Sequence, residues 1–283
     1  MFFVAGATGQ VGSEVVRALV GRGVPVRALS RRPPHEGGPD GVEAVQGDLG
    51  TPESFAGALD GVQAAFLLSG YPREEELLAR LRDGGTRRVV LLSANSAVHG
   101  DLENVVSRYH VLSERAVQAS ELPWTLLRPV SFMSNTLQWV PRLRQGDAVT
   151  EPFSDVPVAV VDPADIGAVA AEAMVSAGHE GATYRLTGPR ALYPQDRVQL
   201  LGQALGRDLR LTPESDEAAR LSLGERMTEP YIEAFFDFFR SGRYDEATVS
   251  TAVPEVTGRP ARAFEIWAQD HAAAFASSSA PVA

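Results

Sequence analysis

A glycine-rich sequence, Gly6-Ala7-Thr8-Gly9-Gln10-Val11-Gly12, joins the apolar run Phe2–Ala5 to a helical pattern near Val11–Gly21. Glycines spaced by three residues let the chain turn tightly, let its backbone approach a pyrophosphate and let the helix pack on the strand. The helix N-terminus then presents free N–H groups to the phosphates. The alternative is an empty tight turn. We predict a dinucleotide site whose pyrophosphate contacts come from Gly6, Thr8, Gly9, Gln10, Val11 and Gly12.

Short apolar runs and helical patterns alternate through the first half of the chain. Further strands are predicted at Pro25–Leu29, Glu43–Gln46, Ala64–Leu68, Arg88–Leu92 and Trp124–Arg128. Helices are predicted near Pro52–Leu59, Glu74–Asp83 and Val105–Ala119. Nearly continuous apolar strands are typical of a parallel sheet that helices cover on both faces. The alternation predicts an α/β fold with a Rossmann-like, doubly wound parallel sheet.

The second predicted strand ends at Leu29 and is followed by Ser30-Arg31-Arg32, at a place where NAD-selective folds usually carry a carboxylate. A hydroxyl and two guanidinium groups suit a 2′-phosphate instead, so we predict NADPH, with NADH less favoured. The alternative is a solvated basic turn. Six further cofactor contacts are predicted at strand ends: Asp48 and Leu49, which an ordinary turn explains equally well, then Leu68, Ser69 and Gly70 after the fourth strand, and Ser93 after the fifth.

The alternation loosens after Arg128-Pro129. We predict a strand at Val158–Val161, a helix starting at Asp162-Pro163, a strand at Tyr184–Leu186, a helix at Arg197–Leu205 ending at Gly206, and a helix at Glu229–Arg240. The last helix carries five aromatic residues, which indicate either a core face or a lid over a flat apolar substrate. Candidate substrate contacts are Phe132, Met133, Trp139, Tyr231 and Phe235.

Composition excludes several kinds of chemistry. The chain has 283 residues, a net charge of −10 and no cysteine, and all 26 basic residues are arginine. The negative charge disfavours a nucleic-acid surface. The five scattered histidines indicate no metal site, and no nucleophile elbow is present. No apolar run reaches the ~20 residues of a membrane helix, and no signal sequence is visible, so we expect a cytoplasmic protein without membrane partners.

Several motifs resemble the atypical short-chain dehydrogenase/reductase group, and within it the NmrA-like branch with its quinone oxidoreductase-like relatives. Besides the glycine loop, they are Gly47-Asp48-Leu49, Leu126-Leu127-Arg128-Pro129, Phe132-Met133-Ser134-Asn135, Val161-Asp162-Pro163-Ala164-Asp165-Ile166-Gly167, Leu186-Thr187-Gly188-Pro189 and Val256-Thr257-Gly258-Arg259-Pro260. The resemblance implies an NAD(P)-binding domain at residues 1–130, to which 158–170 return. It also implies a small α+β substrate-binding or lid subdomain at 131–157 and 171–283, with the active site between the two.

The chain departs from many of these relatives at a tyrosine–lysine pair. Anchoring on Glu114 places the lysine position at His110 and the tyrosine position at Val106, and Tyr109 is followed by Ser113 rather than by lysine. The resemblance implies a substrate-facing hydroxyl at Ser93, with Asn95 close behind, although a strand-end serine also caps turns. Histidine recurs at the lysine position among quinone reductase-like members. The catalytic candidates are therefore Ser93, Asn95, Tyr109 and His110, the last of which is equally well explained as a packing residue.

These observations favour an NADPH-dependent reductase of a ketone on an aromatic or polycyclic small molecule, acting as a monomer or homodimer. The arginine-only composition associates it with bacterial secondary metabolism. Alternatives are a quinone oxidoreductase and a non-catalytic regulator that senses NAD(P). An isomerase or epimerase is disfavoured because that chemistry needs a strong base.

Overall fold

The computed structural model describes residues 1–32 and 40–276. The chain divides into two compact units. The first, here called the sheet unit, comprises Met1–Pro129, Pro163–Leu186 and Thr251–Arg259. The second, here called the helical unit, comprises Val130–Asp162, Thr187–Ser250 and the chain from Pro260 onward. Residues 171–186 and 251–259 were predicted in the substrate-binding subdomain but belong to the sheet unit. Residues 158–162 were predicted to return to the NAD(P)-binding domain but belong to the helical unit.

The sheet unit contains one parallel sheet. Among the described residues it has seven strands, in the order β3-β2-β1-β4-β5-β6-β8. They are β1 Phe2–Val4, β2 Val26–Ser30, β3 Val42–Gln46, β4 Ala64–Leu68, β5 Arg88–Leu92, β6 Trp124–Pro129 and β8 Ala182–Leu186; the helical unit adds β7 Ala148–Glu151 and β9 Arg210–Pro213. Every neighbouring pair in the large sheet is parallel. The predicted Rossmann-like α/β fold is confirmed.

Helices of the sheet unit pack on this sheet. They are α1 Gly12–Val20, α2 Glu74–Asp83, α3 Val105–Ala119, α5 Pro163–Val175 and α9 Ala252–Thr257. A Cβ on Gly167 of α5 would lie 2.7 Å from the Cβ of Glu14 on α1, so glycine permits the close approach of these two helices. The predicted helix at Pro52–Leu59 is a 3₁₀ helix instead, interrupted at Phe55, whose φ of −137° is not helical.

The helical unit has its own apolar cores. Its helices are α4 Val140–Leu143, α6 Pro194–Leu205, α7 Asp216–Gly224, α8 Glu229–Arg240, α10 Phe264–Asp270 and α11 Ala272–Phe275. Trp139, Trp267 and Phe275 belong to one buried cluster, and Phe153 and Phe236 belong to another. Strands β7 and β9 pair in parallel.

Three predictions for this unit can be compared with its elements. Helix α8 has the predicted bounds, and α6 ends at Gly206 as predicted but begins three residues before Arg197, at Pro194. The predicted strand Val158–Val161 is wrong. Its end residues form only isolated bridges, to Leu192 and Phe132, because no continuous partner strand runs alongside.

Within the described chain, no helix combines the length and the apolar character needed to cross a membrane. The same residues contain no group of three or more histidine, cysteine, aspartate or glutamate side chains arranged to hold a metal ion.

Candidate cofactor and active site

The parallel arrangement brings the ends of the first five strands to one edge of the sheet. Gly6, Ser30, Asp48, Ser69 and Ser93 follow or end β1 to β5 in that order. Strand β1 lies between β2 and β4, so the strand order reverses beside the glycine loop. In open α/β sheets, ligands bind outside the carboxyl ends of the strands at such a reversal. The sequence-predicted cofactor residues therefore share the edge where a dinucleotide is expected.

The glycine loop is as tight as its sequence suggests. Gly6 has a φ of +63°, and the amide of Gly9 donates to the Gly6 carbonyl at 2.8 Å. A Cβ on Gly12 would lie 2.1 Å from that same carbonyl oxygen, so only glycine fits there. The residue at the amino end of α1, Val11, makes no side-chain capping bond. The exposed residues Thr8, Gly9 and Gln10 and this helix end fit the pyrophosphate of a dinucleotide.

The end of β2 offers positive charge without a carboxylate. Arg31 and Arg32 are both exposed, and Ser30 Oγ donates to the carbonyl of Arg32 at 2.8 Å. Residues 33–39 lie outside the described part of the chain. At the end of β3, Asp48 Oδ1 accepts from the amide of Gly50 at 2.8 Å, which is the bond of an ordinary turn. Leu49 is buried in the core, so it presents little surface to an adenine ring.

The turn after β4 packs against α3. Ser69 Oγ donates to the Leu92 carbonyl at 2.8 Å. Gly70 has a φ of +85°, and its amide donates to Ser113 Oγ at 2.9 Å and to Glu74 Oε1 at 3.0 Å. A Cβ on Gly70 would lie 2.9 Å from the ring of Tyr109, so the predicted tyrosine lies directly against this turn.

Ser93 is hydrogen-bonded to an ion pair between Glu114 and Arg128, which the sequence analysis did not predict. The residue is buried, and its Oγ donates to Oε1 of Glu114 at 2.5 Å. Arg128 donates to both oxygens of the same carboxylate, from Nε at 2.8 Å and from Nη2 at 2.5 Å. The hydroxyl hydrogen of Ser93 is therefore donated to Glu114, so Ser93 Oγ can form a further hydrogen bond only as an acceptor.

The other catalytic candidates differ in their surroundings. The ring of His110 lies 4.2 Å from that of Tyr109, centroid to centroid. Its Nδ1 is buried and finds no hydrogen-bond partner in the described chain. Burial lowers the pKa of His110 to about 4, so the imidazole is neutral near pH 7. Asn95 is buried, and its Oδ1 accepts from Nε of Arg185 at 3.1 Å.

The predicted substrate residues all belong to the helical unit. Met133 and Trp139 are fully enclosed in its core, and Trp139 Nε1 donates to Glu151. Phe132 and Phe235 are half-buried, and Tyr231 is exposed. This unit also contains Arg197, whose Nε is buried without a hydrogen-bond partner in the described chain. Sequence reasoning missed Arg197 because arginine is usually exposed.

The family whose model matches the chain is described as NAD(P)H-binding, and the match runs from residue 6 to residue 176. That stretch is more than half of the 283 residues. The chain belongs to the NAD(P)H-binding family.

Named relatives resemble the chain over almost its whole length. It is 41% identical over 283 residues to the (4-alkanoyl-5-oxo-2,5-dihydrofuran-3-yl)methyl phosphate reductase of Streptomyces griseus, covering 98% of this chain and 99% of the relative. It is 34% identical to the NAD(P)H azoreductase of Xenophilus azovorans, covering 97% and 99%. An NADPH-dependent quinone oxidoreductase from Escherichia coli, solved with NADPH, shares the fold at 23% identity and a TM-score of 0.76, covering 95% and 99%.

Family membership settles the general activity. The predicted NAD(P)-binding family and the NAD(P)H cofactor are confirmed. The chain is an NAD(P)H-dependent oxidoreductase, as the sequence predicted. Its partners are small-molecule substrates. The roles assigned above to individual residues stay predictions.

Proposed function

We propose that this oxidoreductase prefers NADPH and reduces a small conjugated carbonyl compound, a quinone or a ketone attached to an aromatic or polycyclic ring. The observation that carries the proposal is the lack of a strong acid among the candidate catalytic groups. The hydrogen of Ser93 is held by Glu114, His110 is neutral near pH 7, and the chain contains no lysine that could assist Tyr109 as a proton donor.

Conjugation relieves the need for such an acid. NAD(P)H supplies a hydride equivalent when it is bound. An isolated ketone concentrates the developing negative charge on one oxygen, which then needs a strong hydrogen-bond donor or a proton. A quinone that accepts the hydride becomes a hydroquinone anion, whose charge spreads over its π system, and an aryl ketone with a neighbouring hydroxyl group stabilises the developing oxyanion by an internal hydrogen bond. A neutral His110, which can donate one hydrogen bond from its protonated ring nitrogen, is then sufficient assistance.

The named relatives support this substrate class. Their names give as acceptors an azo compound and an alkanoyl-oxo-dihydrofuran, and both are conjugated π systems. The second acceptor also carries a phosphate ester on the methyl group attached to its ring. We extend both features to this chain and propose an acceptor that carries a phosphoryl group. A role in secondary metabolism and the oligomeric state stay predictions.

The acceptor class is tested by measuring NADPH consumption with a naphthoquinone, a polycyclic aryl ketone and cyclohexanone. We expect the two conjugated compounds to be reduced and cyclohexanone to be slower by at least about 100-fold, the usual contribution of one general acid. Reduction of cyclohexanone at a rate like that of the naphthoquinone would show that a strong acid acts in the site and would overturn the proposal.

The cofactor preference is tested by Arg31→Ala. A charge-assisted hydrogen bond to phosphate contributes about 1.5 to 3 kcal/mol, so we expect NADPH affinity to fall about 10- to 100-fold while NADH affinity stays within about twofold. Arg87→Ala, at another exposed arginine of the sheet unit, is the matched control. Equal losses for both cofactors in Arg31→Ala would contradict a 2′-phosphate contact.

A further inference from the structure

Arg197 is a half-buried cation for which no hydrogen-bonded counterion is found among the described residues. It lies on α6, and its Nε is buried with no hydrogen-bond partner in the described part of the chain. Its guanidinium carbon lies 5.5 Å from the ring centroid of Trp139. Burial lowers the pKa of Arg197, and Glu151 opposes that change electrostatically. Removing a guanidinium from water without full compensation is costly, so this arrangement requires a physical reason.

Glu151 does not supply that compensation by hydrogen bonding, because its bonds go elsewhere. Its Oε1 accepts from Trp139 Nε1 and from Gln138 Nε2, the latter at 3.1 Å. Burial raises the pKa of the Glu151 carboxyl, whereas Arg197 and the exposed Arg226 act electrostatically to lower it. The cluster therefore contains two guanidinium groups beside one enclosed carboxyl. Glu214 is also near, with Oε2 bound to Ser222 Oγ at 3.0 Å.

Other arginines of the helical unit show what a structural guanidinium looks like here. Arg207 donates to Asp147 and to two backbone carbonyls. Arg240 is bound to both Asp155 and Asp216, and Arg262 to Asp162 and Asp270. Each of these side chains has its donors engaged by carboxylates or carbonyls. Arg197 does not follow this pattern, although its Nε is fully enclosed.

We propose that Arg197 binds the phosphoryl group of a phosphorylated small-molecule substrate. A guanidinium forms two parallel hydrogen bonds with phosphate oxygens, and its planar shape selects for that geometry. Contact with the Trp139 ring holds the guanidinium in one orientation before a ligand arrives. The identification of the ligand as a substrate rests on the proposed function, whereas the anion site itself rests on Arg197 and its neighbours.

The test is a binding measurement that needs no turnover. Phenyl phosphate is titrated into the protein by calorimetry in the presence of saturating NADP⁺, which occupies the phosphate contacts of the dinucleotide site. We expect Arg197→Met to weaken binding about 10- to 100-fold, the loss expected for one charge-assisted pair. Arg142→Met, at an exposed arginine of the same unit, is the matched control and should bind as the wild type does. Wild-type affinity in Arg197→Met would overturn the proposal.

Two further arms separate phosphate recognition from simple charge attraction and from carboxylate binding. Arg197→Lys keeps the positive charge but loses the planar arrangement of guanidinium donors. Its affinity for phenyl phosphate should therefore lie between those of the wild type and Arg197→Met. Benzoate should bind more weakly than phenyl phosphate, and equal affinity would overturn the choice of phosphate over carboxylate. Binding of phenyl phosphate without reduction of any conjugated acceptor would contradict the proposed function alone. Reduction of acceptors without phosphate binding would contradict the Arg197 site alone.

Discussion

Each unit of the molecule places a half-buried arginine near a buried glutamate, and the two pairs differ in how their hydrogen bonds are used. In the sheet unit, Arg128 donates twice to Glu114, and Ser93 donates to the same carboxylate. In the helical unit, Glu151 takes its hydrogen bonds from other side chains, and Arg197 Nε has no partner among the described residues. An arginine and a glutamate thus form a complete hydrogen-bonded network in the sheet unit. In the helical unit, the arginine keeps a nitrogen without a hydrogen-bond partner among the described residues.

The difference has an energetic consequence. Removing one member of a hydrogen-bonded buried pair leaves the other charge uncompensated, which is strongly destabilising. Within the described chain Arg197 Nε has no such bond to lose, and an apolar side chain of similar volume removes the desolvation cost of the cation, which offsets the lost attraction to Glu151. The network around Glu114 is therefore expected to stabilise the fold, whereas Arg197 is expected to contribute little to its stability.

The largest expected effect comes from Arg128→Met. Glu114 would remain buried with only Ser93 as its partner, so the free energy of unfolding should fall by about 3 kcal/mol, the low end for a buried pair because Arg128 is partly exposed. Arg197→Met should change it by less than about 1 kcal/mol or raise it. Urea unfolding measures both. Equal losses in the two variants would show that the two arginines have the same structural role and would remove the contrast.

Most of the sheet unit could be predicted from sequence because its signals are local. Apolar runs bounded by glycine gave the strands to within a residue or two, as for Ala64–Leu68 and Arg88–Leu92. The glycine loop is defined by its own backbone, so its spacing was sufficient to predict its geometry. The 3₁₀ helix at Pro52–Leu59 was less accessible, because apolar periodicity does not separate it from an α-helix.

Contacts between residues distant in sequence could not be predicted in the same way. In the sequence, Glu114 served only to locate the lysine and tyrosine positions of the family motif. No local sequence pattern distinguishes its partner Arg128 from the other arginines among the 26 in the chain. Leu49 was a candidate cofactor contact, but the direction of a side chain after a strand depends on the turn, and this one enters the core. The burial of Arg197 depends on Trp139 and Glu151, which lie in other elements.

His110 belongs to the sheet unit, but its Nδ1 is buried without a hydrogen-bond partner in the described chain, as Nε of Arg197 is in the helical unit. Its titration therefore tests the contrast between the two units. Its pKa is about 4 when folded and 6.5 in the reference state, so the folded protein binds fewer protons between these values. Stability is therefore complete above pH 6.5 and is lost as the pH falls toward 4. The loss amounts to at most about 3 kcal/mol.

The variant His110→Phe keeps a ring beside Tyr109 and removes this titration. Its free energy of unfolding should fall less between pH 6.5 and pH 4 than that of the wild type, as urea unfolding at the two pH values would show. The same pH dependence in both proteins would mean that the histidine is not desolvated, and the contrast would then be confined to the two arginine–glutamate pairs.

Ser93→Ala gives the smallest expected effect and decides how the closed network serves catalysis. Glu114 keeps both bonds from Arg128, so unfolding should cost about 1 kcal/mol less, the value of one hydrogen bond. If Ser93 is a positioning residue, kcat/KM for a naphthoquinone should fall by less than about tenfold, mainly through KM. A fall of about 100- to 1,000-fold in kcat with the fold retained is the loss expected for a donor to a developing oxyanion. That outcome would mean that the hydroxyl leaves Glu114 when substrate binds, and that the network is closed only in the free protein.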